Sequence, residues 1–219
     1  MARIDWEKTV IRKDCPINFE ILKCEAGWAA GKCCINNIEF ESYLSTIGLA
    51  DMPTALLEAA YFFLDYDNEH EKFTIETEEL DQPYIDENGD EWVDVPEKVH
   101  FIWDEEPSTY EWNISFDLKY FRKQDVMLHF IVKSSSNSEN KTYKFDVLLS
   151  DLAYAVAKCF TECLKKYGIN GYHFHTYDDD INLRHLLIVK AYALKLMSRD
   201  DFEYEFSFDD ELKLLQLNM

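Results

Sequence analysis

A chain of 219 residues is long enough to bury a sizeable core without disulfides or metals, and 47% hydrophobic and 15% aromatic residues with six Gly and five Pro exclude disordered and fibrous classes. Its formal net charge of −21 is concentrated: residues 65–111 hold 18 Asp or Glu against Lys72 and Lys98, whereas residues 112–198 hold nine acids against twelve Lys or Arg. The first block is therefore −16 and the second +3, a field that repels nucleic acid and anionic membrane and draws in a basic partner.

No stretch approaches the roughly 18 apolar residues of a membrane span, and "MARIDWEKTV" is charged where a secretion signal is apolar. The expected location is cytoplasmic, with Cys15, Cys24, Cys33, Cys34, Cys159 and Cys163 reduced and mostly buried.

Along residues 3–41, β-rich runs interrupted by Pro16, Gly27 and Gly31 predict two or three strands. "PTALLEAAYFFLDY" from Pro53 predicts a buried helix of about three turns, with proline in its first turn. Inside the acidic block, "KFTIETEEL" and "EKVHFIWDEE" alternate as strands do, the second placing Val99, Phe101 and Trp103 on one side. Between them Asn88-Gly89 is a strong hairpin signal. Counting back from Gly89 puts Tyr84 where a calcium loop needs its first oxygen ligand, so the acidic loop does not read as an EF-hand.

"TYEWNISFDLKYF", "VMLHFIVKS" and "TYKFDVLL" follow as an antiparallel meander, with Trp112, Ile114, Phe116 and Leu118 on one face of its first strand. A helix capped by Ser150 carries Leu152, Val156, Phe160, Cys163, Leu164 and Tyr167 on one side and stops at Gly168. A second, largely buried helix runs through "INLRHLLIVKAYALKLM", and the alternation of Phe202, Tyr204, Phe206 and Phe208 predicts a last edge strand. The expected fold is α+β: a largely antiparallel sheet, made of the central three-strand meander plus N-terminal strands and the acidic hairpin, covered by two C-terminal helices. The whole chain reads as a single domain, with a weak sub-boundary near 66–72.

Three constellations carry possible chemistry. In "GYHFHTYDDD", His173 and His175 would share a face if extended, with His185 close enough to converge. The segment reads instead as a connection between helices, with Asp180 capping the second and Asp178 and Asp179 supporting it. Cys159 and Cys163 share a helix face with Val156, Phe160 and Leu164, a core stripe rather than a redox or metal site. The acidic block interleaves Tyr84, Trp92, Trp103, Tyr110 and Trp112 with carboxylates. Either these rings anchor a partner in a charged field, or they face inward and the acids only solubilise the chain.

No nucleotide-binding glycine loop, nucleophile elbow or kinase set occurs. No catalytic residue, cofactor or metal is assigned. Charge and composition lead to the expectation of a stoichiometric inhibitor, an immunity-type protein neutralising a basic toxin such as a nuclease. Its face would be Glu87, Asp90, Trp92, Asp94, Trp103, Asp104, Glu105 and Glu106, the acids standing in for phosphates. A nucleic-acid mimic that inhibits a DNA-binding protein would show the same charge. A hydrolase or metal-dependent enzyme would instead gather His173 and His175 with nearby carboxylates.

Overall fold

The computed structural model describes residues 4, 6–12, 14–25, 28–45, 52–64, 84–85, 91–92, 98–105, 108–116, 125–135, 140–176, 181–198 and 206–219; of 22–25, 28–30, 41–45, 52–53, 84–85, 91–92, 98, 103–105, 108 and 170–176 it describes the backbone course. The fold is α+β. After a 3-10 turn at Trp6–Lys8 come β1 (Ile17–Glu25), β2 (Trp28–Ile35) and β3 (Ile38–Ser45), then helix α1 (Met52–Leu64). Short strands β4 (Tyr84–Ile85) and β5 (Glu91–Trp92) precede β6 (Lys98–Glu105), β7 (Ser108–Phe116), β8 (Met127–Ser135) and β9 (Asn140–Leu148). Helices α2 (Leu149–Thr176), α3 (Leu183–Ala193) and α4 (Phe208–Gln216) complete the order.

The strands divide into separate antiparallel ladders, β1-β2-β3, β4-β5 and β6-β7-β8-β9. The expected meander is present and gains β6 as a fourth strand, paired Phe101↔Trp112 and Val99↔Ile114 with β7. Side chains weld the two larger sheets together. Phe40 of β3 makes edge contacts with Tyr110 and Trp112 of β7 and with Tyr143 and Phe145 of β9, at centroid distances of 5.2–6.1 Å. Trp112 is fully buried and stacks on Phe101 at 5.9 Å. Leu56, Leu57, Tyr61 and Phe63 of α1 are buried in the same cluster, Phe63 against Phe116 at 5.5 Å.

Several boundaries differ from the sequence expectation, each for a local reason. Gly31 is not a breaker: it lies buried inside β2 opposite Ile21, beside a bulge between Ile21 and Lys23, a common place for a strand glycine. The turn falls at Asn36 and Asn37, whose φ values of 49° and 67° suit a two-residue hairpin, a conformation asparagine tolerates. The acidic hairpin pairs Ile85↔Glu91 and Tyr84↔Trp92. That register differs by one from the Ile85↔Trp92 pairing that a two-residue Asn88-Gly89 turn would set; residues 86–90 lie outside the described residues.

β9 runs into α2 without a loop, so Ser150 sits inside the first turn and cannot be the cap. Asp125 caps from a distance, accepting from Ser150 N–H at 3.1 Å and from its hydroxyl at 2.6 Å. Gly168 takes φ 71°, as expected of a residue closing a helix, but a second helical stretch continues over 169–176. α3 is capped by Asn182, whose side chain accepts from His185 N–H at 3.2 Å, and not by Asp180. It ends at Ala193, earlier than expected. Lys195 (φ 60°) supplies the left-handed residue, with Lys195 N–H donating to Tyr192 O and Leu196 N–H to Ala191 O in a Schellman pattern. Residues 202–205 of the predicted last strand lie outside the described residues, and from Phe208 to Gln216 the tail is helical, because Ser207 caps it, accepting from Asp210 N–H at 3.2 Å, and three acids follow in the first turn. Trp6 fastens this helix: its indole donates to Asp210 at 3.0 Å, and Lys213 lies 4.0 Å over its ring.

Candidate functional site

The expected acidic face is placed in part. Glu87, Asp90, Asp94 and Glu106, like the predicted strand 72–80, Leu118 and the Asp178–Asp180 run, lie outside the described residues. Trp92 falls on β5, and Trp103, Asp104 and Glu105 on β6. Strand alternation puts position 103 on the same face of β6 as buried Val99 and Phe101, and position 104 on the face of His100 and Ile102. Ile102 is 44% exposed, a β-branched apolar residue at the surface two positions from Asp104.

Two aromatics of that composition face inward. Trp112 is buried, and Tyr110 is half-buried against Phe40 at 5.7 Å, because both project from β7 toward the junction of the sheets. Glu111, between them, points the other way. It accepts from Lys133 at 2.9 and 3.1 Å and from Asn113 at 3.1 Å, with His100 3.6 Å away. The hydrogen bonds from Lys133 and Asn113 hold its carboxyl below the usual range. Glu111 is thus an acid of the block already neutralised within the fold.

The histidines are separated by local geometry. His173 and His175 lie on the helical stretch of α2, where residues two apart point about 200° from each other around the axis; the shared face of an extended pair is lost. His185 is buried on α3, stacked on Tyr61 of α1 at 3.6 Å and 9°, with Nδ1 2.8 Å from both oxygens of Glu58. Arg184 lies over the other ring of this contact, 5.7 Å from the Tyr61 centroid. The arrangement ties α1 to α3, and among the described residues no group of three metal-ligating side chains gathers.

Cys33, Cys159 and Cys163 are buried as expected of core thiols. Burial pushes Cys33 well above the ordinary thiol range. Cys15 is half-buried beside the first turn of α2, and burial raises it too, opposed by a hydrogen bond from Ile17 N–H.

Two features were not read from the sequence. Arg12 reaches across from the N-terminal segment to the start of α2, pairing with Asp151 and donating to Ser150 Oγ at 2.7 Å, while the Tyr154 hydroxyl donates to Arg12 O at 3.1 Å. Burial raises the Asp151 carboxyl even with Arg12 beside it. The partners are over a hundred residues apart, and no local pattern marks them.

The second is a groove of about 400 Å³ between β1 and α2, lined by Asn18, Glu20, Lys158, Glu162, Cys163 and Lys166 over Phe19, Ile21 and Cys159. Amphipathic alternation in "INFEILKCE" marks the strand, yet gives no sign that it lies at a sheet edge. The chain matches no protein-family model, no curated protein and no solved structure.

Proposed function

We propose that the chain is a stoichiometric binder of a basic protein, an immunity-type inhibitor that neutralises a cationic toxin such as a nuclease. The observation that carries this is the partition of charge: −16 within residues 65–111 against +3 across residues 112–198. Coulomb attraction from such a block speeds encounter with a cationic site and then competes with the phosphates that site expects. Asp104 and exposed Ile102 on one face of β6 add support, since an apolar contact beside a carboxylate resists salt where charge alone does not. The acidic segment proposed to meet the partner carries Glu87, Asp90, Trp92, Asp94, Trp103, Asp104, Glu105 and Glu106; on β6, position 104 lies on the side of exposed Ile102 and positions 103 and 105 on the side of Val99 and Phe101.

The test is a pull-down from the source lysate with the intact protein as bait at low and high salt. One basic protein retained at low salt and released by high salt, then bound one-to-one when purified, supports the reading. An empty bait at both salts removes it.

A further inference from the structure

β1 is the outer strand of its sheet, pairing with β2 alone among the described residues. Asn36 N–H donates to Pro16 O at 2.8 Å, which fixes the alternation of the ladder. Asn18 and Glu20 then direct their N–H and C=O groups to β2, whereas Phe19 and the N–H of Ile21 direct theirs to the open side. The hydrogen bond from Ile17 N–H to Cys15 agrees with that phase, since position 17 must also face outward.

α2 lies beneath this edge, not beneath the middle of the sheet. It packs chiefly on β1 and only slightly on β2, so its outer flank, from Lys158 to Lys166, extends past the last strand as a shelf. Strands sit about 4.8 Å apart, and the groove occupies the place of one more strand. The lengths match: Asn18–Ile21 spans about 10 Å of strand and Lys158–Lys166 about 12 Å of helix. The bulge after Ile21 ends the regular edge.

We propose that this groove is a strand-addition site, which takes an extended segment of a partner protein as a fourth strand beside β1. The occupant is an extended segment of a partner protein about as long as the Asn18–Ile21 edge that it pairs with. Its chemistry follows from the walls. Residues opposite Phe19 turn toward the Cys159–Cys163 shelf and are apolar, while residues opposite Asn18 and Glu20 turn to water and are polar. The rim charges Glu20, Glu162, Lys158 and Lys166 cancel, so the groove selects a segment of little net charge, independently of the acidic block.

The test uses the full chain, amide-resolved NMR and a blocked peptide of alternating valine and threonine flanked by one lysine and one glutamate. Binding is expected to shift the amides of 17–21 and 158–166 and to slow hydrogen exchange at Phe19 and Ile21 about tenfold or more. The same peptide N-methylated along the edge that faces β1 should leave both exchange rates unchanged. The proposal is overturned by strong protection of those amides without peptide, by protection that follows protein concentration and so reports a second copy, by an equal response to the N-methylated peptide, or by no response at millimolar peptide.

Discussion

Lys190 offers the sharpest quantitative test of the packing. It is 2% exposed on α3, and its ammonium donates to Leu217 O at 2.8 Å, latching the residue that caps the end of α4. Burial, with a smaller contribution from Lys165, pulls it from the ordinary lysine value of 10.5 down to about 8. Between those values the unfolded chain binds more protons than the folded one, so stability rises with pH from about 8 to 10.5. At neutral pH both states are protonated and the full cost of the buried charge is present. The gap corresponds to roughly 3 kcal/mol at about 1.4 kcal/mol per pH unit, and to about 2 kcal/mol after solvent screening at the end of the side chain. Lys190→Met fills similar space without the charge and loses one hydrogen bond of about 1 kcal/mol. Urea unfolding followed by tryptophan fluorescence should show the variant at least as stable as the parent at pH 7. That advantage should shrink by about 2 kcal/mol between pH 7 and 10.5. A stability difference flat across this range would refute the argument that burial depresses Lys190.

Removing the distant cap with Asp125→Ala should cost about 1–2 kcal/mol in the same assay, since Ser150 loses both of its hydrogen bonds to that carboxylate. Lys195→Gly relieves a left-handed residue at the end of α3 and should raise stability by about 0.5–1 kcal/mol, visible as a higher urea midpoint. Reversing Asp104, Glu105 and Glu106 to lysine should abolish capture of the basic partner while shifting the thermal midpoint by only about 2–4 °C; collapse of the fold would instead make the block structural. Cys33, Cys159 and Cys163, all buried, should react with a thiol reagent only through unfolding, so mass-resolved labelling in rising urea should track the unfolding curve.

What local pattern encodes is borne out where neighbours in sequence decide the outcome. Alternation over "TYEWNISF", "MLHFIVKS" and "TYKFDVLL" gives the meander, and the buried residues of α1 and α3 match their apolar circumference. Composition also determines the charge partition, which depends on no contact at all. Element boundaries are where local reading goes astray, either because a distant partner decides them or because a neighbouring residue takes the same role. Ser150 resembles an N-cap, but the direct passage of β9 into α2 gives that task to Asp125. Asp180 resembles another, but Asn182 takes it, and Lys195 ends α3 where no glycine marks a stop.

The same division applies to the sites. Residue types established that thiols, histidines and carboxylates were available, and the helical period alone separates His173 from His175 once 169–176 is helical. Tertiary structure decided that His185 is bound to Glu58 and Tyr61, that Tyr110 and Trp112 turn inward to meet Phe40, and that Glu111 is paired with Lys133. It also left β1, among the described residues, as the outer strand of its sheet beside α2. A strand's own sequence specifies which side chains face the core, because the two-residue period is local; whether another strand lies beside it is settled only when the whole chain has found its partners.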